Sequence, residues 1–163
     1  MSGLTLSPVV LDDAADLFQV VEAARSDLSK WFIWPDRITD VATATEAIRE
    51  YLNGTRVKYW WLIRSDGIAV GGIQLRIRDG GRAVSLPYWL VPQARGNGIV
   101  TKATAFALTI AKGMGFDRAE FVINEGNAGS LGVAKRLGFR RVGVKEVPFR
   151  DSIHKNEVWV LEL

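Results

Sequence analysis

The chain of 163 residues has no cysteine and a single histidine, His154. Without cysteine there is no disulfide, no thiolate zinc site and no cysteine nucleophile. One histidine does not supply a histidine-based metal centre, so no metal is expected. Long apolar runs are missing too; none approaches the ~20 residues of a membrane-crossing helix. Met1-Ser2-Gly3-Leu4 lacks a basic region leading into a long apolar core, so no secretion signal is expected and a cytoplasmic location is. Charge of one sign is also in short supply. Lys and Arg number 21 against 18 Asp and Glu, a net +3 that is scattered along the chain. Such a balance suits a phosphate-bearing ligand and speaks against nucleic acid. What is present is a hydrophobic content of 48%, too high for disorder, in a chain of one domain's length. With no repeat, low-complexity tract or linker, residues 1–163 are expected to form a single mixed α/β domain.

Periodicity outlines the elements. Leu4 to Val10 reads as a strand, and Asp12-Asp13 as the cap of a helix with Ala14, Leu17, Phe18, Val21, Ala24 and Leu28 on its apolar face. The aromatic cluster Trp31-Phe32-Ile33-Trp34 stops at Pro35. Thr39 or Asp40 opens a second helix that buries Ala44, Ala47, Ile48, Tyr51 and Leu52 and ends at Asn53-Gly54. Tyr59 to Arg64, Ile68 to Arg78 and Ala83 to Val91 read as an antiparallel meander turned at Ser65-Asp66-Gly67 and Asp79-Gly80-Gly81. Gly71-Gly72 within it signals a bulge or a close backbone approach. Arg118 to Asn124, Arg140 to Val147 and Glu157 to Leu163 are further strands, with a helix over Asn127 to Leu137.

Leu90 to Val100, LVPQARGNGIV, carries the chemistry. An apolar strand, Tyr88 to Val91, stops at Pro92. Gln93-Ala94-Arg95-Gly96-Asn97-Gly98 follows, and Ile99 opens a helix with Ala103, Phe106, Ala107, Ile110 and Met114 at helical spacing. The first N–H groups of a helix have no carbonyl partner and sit at the positive end of its dipole. Glycines before them let an anion approach the backbone. This is no Walker loop, since Ile99-Val100 stands where Lys-Ser/Thr is needed, and it lacks the third glycine of a dinucleotide fingerprint. A second motif, Asn127-x-x-Ser130, leads to Leu137-Gly138-Phe139. Taken alone it reads as a capped helix closed by a C-terminal glycine.

The order strand, Gln-x-x-Gly-x-Gly, helix, strand, Asn-x-x-Ser, helix, Leu-Gly-Phe resembles the GCN5-related N-acetyltransferases, and within them the RimJ/RimL-like branch that acts on ribosomal-protein N-termini. Arg25-x-x-Leu28, Trp31-x-x-Trp34 and Tyr88-Trp89-Leu90 match that branch too, so the likeness spans about Leu4 to Leu163. It implies a mixed, mostly antiparallel sheet of about six or seven strands flanked by about four helices. It implies acetyl-coenzyme A as co-substrate, with pantetheine paired along Leu90 and Val91 and the pyrophosphate held by Gln93, Arg95, Gly96, Asn97, Gly98 and Ile99. An N–H at about Leu90 would polarise the thioester carbonyl. Asn127 would bond pantetheine, and Ser130 would give a proton to the departing thiolate. The acceptor is then a primary amine, a peptide or protein N-terminal α-amine in this branch, attacking without a covalent enzyme intermediate.

Three positions depart from the branch. Ser85-Leu86-Pro87 stands where a carboxylate, an apolar residue and glycine are usual, which removes a carboxylate base and breaks the ladder at Pro87. Lys102 replaces a glutamate on an exposed helix face. Phe139 lies where relatives outside the branch use a tyrosine acid, leaving Ser130 for that work. Trp31, Trp34 and Ser85 are candidates to line the acceptor groove; the two tryptophans read equally as core. Lys135 or Arg136 is a candidate for the cofactor's 3′-phosphate, and His154, expected in a loop, for the amine's proton. Other readings are acetylation of an amine-bearing small molecule and a non-catalytic acyl-coenzyme A sensor. The acceptor, the acyl length and whether the chain forms a homodimer are left open.

Overall fold

The computed structural model describes residues 3–163. Among the described residues eight strands and four α-helices follow in this order: β1 (Leu4–Pro8), α1 (Ala14–Leu28), α2 (Val41–Asn53), β2 (Val57–Ser65), β3 (Ile68–Arg78), β4 (Ala83–Ser85), β5 (Tyr88–Leu90), α3 (Ile99–Gly113), β6 (Arg118–Asn124), α4 (Ala128–Arg136), β7 (Arg140–Phe149) and β8 (Ser152–Glu162). Hydrogen bonding joins the strands in the order β1-β2-β3-β4-β6-β8-β7, with β5 on β3. The pairs β1–β2, β3–β4, β3–β5, β6–β8 and β7–β8 are antiparallel, and β4–β6 is parallel. This is the open, mostly antiparallel sheet that the resemblance implies. It has one strand more than expected because the run Ala83 to Val91 divides at Leu86-Pro87, where proline offers no N–H to a ladder.

By its contacts the chain forms two compact units, one running from the N-terminus to Gln74 and including Tyr88–Ile99, the other taking Leu75–Pro87 and Val100–Leu163. In the first, α1 buries Ala14, Leu17, Val21, Ala24 and Leu28 in a cluster with Val9, Ala44, Ile48, Trp60, Leu62 and Trp89. Asp40 caps α2, its carboxylate accepting from the Thr43 N–H at 2.7 Å. That bond, followed by one from the Thr43 side chain, holds the Asp40 carboxyl below the usual range. Leu52 is exposed, against expectation, since α2 turns only Ala44 and Ile48 fully inward. Asp13 occupies the N-cap position of α1 without capping it; its carboxylate accepts from the Val10 N–H and from Arg64 instead. Asp66 and Gly67 take φ of 50° and 84° and turn β2 back into β3.

In the second unit, α3 buries Val100, Ala103, Thr104, Ala107 and Ala111. The stripe is rotated from the expected one, leaving Phe106 and Met114 exposed, because the inward face is made of small residues. Gly138 closes α4 at φ 84°, and Phe139 is buried in a stack on Phe121 with ring centroids 4.6 Å apart. β7 and β8 form a long hairpin with a bulge between Arg141 and Gly143. β8 begins five residues earlier than expected, so His154 lies in a strand opposite Val147 and not in a loop.

Candidate active site

In the first unit the expected residues follow β5. Leu90 pairs with Gly71, Trp89 with Gly72 and Tyr88 with Ile73. The Val91 N–H donates to the Val70 carbonyl at 2.9 Å. Bonded and non-bonded pairs alternate in an antiparallel ladder, so the Leu90 N–H and carbonyl turn away from β3. The close approach read from Gly71-Gly72 is real: a Cβ on Gly71 would strike the Trp89 carbonyl, and one on Gly72 would lie 2.7 Å from Trp89 Nε1. After a short 3-10 turn, Pro92–Ala94, the loop is exposed, with Gly96 and Gly98 at φ 79° and 70° and open space where a Cβ would go. Both glycines are therefore required by conformation as well as by access. Asn97 Nδ2 donates to the Arg95 carbonyl at 3.3 Å, bracing the loop internally.

Arg95 is not free. Its Nε and Nη2 donate to the Leu90 carbonyl at 3.2 and 2.9 Å, and its guanidinium pairs with both oxygens of Asp27 in the last turn of α1. Arg95 thus already donates to the Leu90 carbonyl, one of the main-chain groups along which the resemblance lays pantetheine. Sequence reading missed Asp27, which lies 68 residues from its partner.

Trp34 is half-buried, 5.4 Å from Trp89 and 5.9 Å from Phe32 by ring centroids. It packs against the core of the first unit, so the core reading of this tryptophan holds; Trp31 is partly exposed beside it in sequence. Arg25 donates to the carbonyls of Pro35 and Ile38, which fixes the segment carrying the tryptophans onto α1.

In the second unit, Asn127 is the N-cap of α4, its Oδ1 accepting from the Ser130 N–H at 3.2 Å. Ser130 is partly exposed in the first turn. Lys102 is exposed, as expected. Arg136 folds back over Gly132 to within 3.5 Å of Thr101 Oγ1 in the first turn of α3, and makes no ion pair among the described residues. Ser85 forms the last rung of the β4–β6 ladder, opposite Glu120. A half-buried carboxylate thus stands beside the position where the sequence reading found none. Sequence reading missed Glu120, because the parallel register that sets it opposite Ser85 is not legible from the residues alone. Glu120 accepts from Arg118 Nε at 2.9 Å, and that bond raises the guanidinium's pKa further. His154 Nδ1 lies 3.0 Å from Asn124 Nδ2 and its ring stacks on Phe149 at 4.5 Å. With the amide as donor, Nδ1 accepts and the proton sits on Nε2.

Comparison with known proteins identifies the family and the fold. The model of the acetyltransferase (GNAT) domain matches residues 3–140. The Bacillus subtilis (strain 168) protein named "Putative ribosomal N-acetyltransferase YdaF" is 28% identical over 153 residues, covering 88% of this chain and 79% of its own. Two solved structures share the fold at 20% identity and a TM-score of 0.89 each. One is RimL, a ribosomal L7/L12 alpha-N-protein acetyltransferase, in complex with coenzyme A, with 98% of this chain and 94% of that one covered. The other is the microcin C7 self-immunity acetyltransferase MccE with acetyl-CoA and AMP, with 98% and 92% covered. The chain belongs to the GNAT acetyltransferase family.

Proposed function

We propose that residues 1–163 act as one N-acetyltransferase domain that moves acetyl from acetyl-coenzyme A to the α-amine of a peptide or protein N-terminus. The observation that carries the reading is the β5 geometry: an outward Leu90 N–H followed at once by a loop with two positive-φ glycines at the start of α3. Leu90 donates its N–H to the thioester oxygen as negative charge grows there. Within the Gln93 to Gly98 loop the N–H groups of Ala94 and Arg95 already donate to the Val91 and Pro92 carbonyls, so those of Gly96, Asn97 and Gly98, with that of Ile99, hold the diphosphate at the positive end of α3. Val91 flanks the pantetheine arm, and Arg136, exposed beside Thr101, meets the remaining phosphate charge. The neutral amine nitrogen forms a bond to the carbonyl carbon, the carbon–sulfur bond breaks, Ser130 gives its proton to the thiolate, and the proton shed by the amine nitrogen passes through water to restore the Ser130 hydroxyl. Asn127 orients the pantetheine amide while capping α4.

Ser85 and its neighbour support this acceptor class. Glu120 is tied to Arg118, so the row offers no unpaired carboxylate to strip a lysine ammonium. A peptide α-amine, with a pKa of about 7.7–8.0, is already partly neutral near pH 7. The relative named as a ribosomal N-acetyltransferase supports the same class. A second reading, acetylation of an amine-bearing small molecule, is favoured by the equal likeness to MccE, a self-immunity acetyltransferase. Thiol release from acetyl-coenzyme A with peptide N-termini, polyamines, amino acids and amine antibiotics as acceptors separates them. Turnover confined to peptides supports the first reading. Turnover confined to small amines replaces it, and binding without turnover leaves a sensor.

A further inference from the structure

Arg95 is the one cation in the Gln-x-x-Gly-x-Gly loop, yet its charge is already spoken for. Its guanidinium makes a two-oxygen contact with Asp27, whose side chain is only 22% exposed, and two further bonds to the Leu90 carbonyl. The Val91 N–H, the other end of the same peptide unit, is bonded to Val70. Both polar ends of the Leu90–Val91 peptide are therefore pinned, one by β3 and one by Arg95. The preceding N–H, that of Leu90, is left facing outward from the ladder. A paired guanidinium adds little net field for a diphosphate, whereas Arg136 at the first turn of α3 has no carboxylate partner among the described residues.

We propose that Arg95 is a positioning residue: anchored by Asp27, it fixes the Leu90–Val91 peptide and so aims the Leu90 N–H, and it is not a ligand for the cofactor's phosphates. The catalytic part of this inference rests on the assignment of the Leu90 N–H to the thioester oxygen. Asp27 lies in the last turn of α1, which also carries the tryptophan segment through Arg25, and Trp34 packs on Trp89 beside Leu90. The tryptophan segment and the donor strand are thus tied at two points.

The test uses the full chain as Asp27→Asn, Arg95→Gln, Arg95→Lys and the Asp27→Asn/Arg95→Gln pair. Three quantities are read: amide hydrogen exchange at Val91, kcat at saturating donor and acceptor, and coenzyme A affinity by calorimetry. Each single change should speed Val91 exchange and lower kcat by about tenfold, with coenzyme A affinity held within about threefold. The pair should be no worse than either single change, because both break one unit. Arg95→Lys should not rescue, since an ammonium cannot span the carbonyl and both carboxylate oxygens with a planar fork. Faster exchange with unchanged kcat would leave the brace standing and overturn only the role given to the Leu90 N–H. Unchanged exchange in Asp27→Asn, the milder variant, overturns the brace. So does the opposite-sign result, in which Arg95→Gln weakens coenzyme A tenfold or more while Asp27→Asn tightens it.

Discussion

One methyl group added at two glycines should change stability in opposite directions. At Gly72, in β3, an added Cβ would stand 2.7 Å from Trp89 Nε1, 3.1 Å from its Cε2 and 3.4 Å from Trp60 Nε1. The first contact is impossible without movement, and the second is tight. Trp89 has little room to move: it is 8% exposed and its ring lies 5.4 Å from that of Trp34. Overpacking of this kind costs about 1–3 kcal/mol. For a chain of this length that lowers Tm by roughly 2–12 °C. At Gly113, the last residue of α3, a Cβ meets nothing within 4 Å. There the same substitution removes glycine's backbone entropy and gains up to ~1 kcal/mol, a rise of roughly 1–4 °C. Thermal unfolding of Gly72→Ala and Gly113→Ala beside the parent decides. A Gly72→Ala variant as stable as the parent would mean that the tryptophans yield without cost, and the account of the β3–β5 contact would be wrong.

Gly96→Asp and Gly98→Asp should each weaken acetyl-coenzyme A binding by about tenfold or more, ~1.4 kcal/mol, by placing strain and negative charge in the loop; unchanged calorimetric affinity in a folded variant would remove the loop from the site. Ser130→Ala should lower kcat by about 10-fold to 100-fold with little change in cofactor affinity, and an unchanged kcat with chemistry rate-limiting would leave Ser130 a structural residue. kcat/KM should rise with pH along the acceptor amine's own titration; a midpoint held near pH ~6–7 whatever the acceptor would reveal an enzyme base, with His154 and then Glu120 the first residues to change. Asp40 has a lowered folded-state pKa, so its cap stabilises fully above the unfolded value near 3.9 and fades as pH falls through the lower folded value. Urea midpoints at pH ~7 and ~3 should therefore show less acid loss in Asp40→Asn than in the parent.

Signals carried by neighbouring residues were legible. Asp40 with Thr43, Asn127 with Ser130, Gly138, and Asp66-Gly67 all act within four positions, and each gave the element end that the structure has. The break at Leu86-Pro87 was readable from one missing N–H, although its outcome, two strands where one was expected, was not. What escaped depends on partners far along the chain. Arg95 reads as a free loop cation until Asp27 is brought to it, and Ser85 reads as a missing acid until the parallel ladder sets Glu120 opposite. The α3 stripe was misplaced because Phe106 and Met114 weigh more on a hydropathy scale than the alanines that fit a tight inward face.

The bulge between Arg141 and Gly143 bears on how copies of this chain can meet. β7 ends the strand order, and such an edge invites another chain to extend the sheet. Here the extra residue, Val142, throws the ladder out of step near one end, and Pro148 offers no N–H near the other. Between them Lys145 sets a charge that an incoming strand would have to desolvate. At this edge an incoming strand finds only Gly143 to Val147 in step, with a lysine among them, so main-chain pairing with a second copy is disfavoured here.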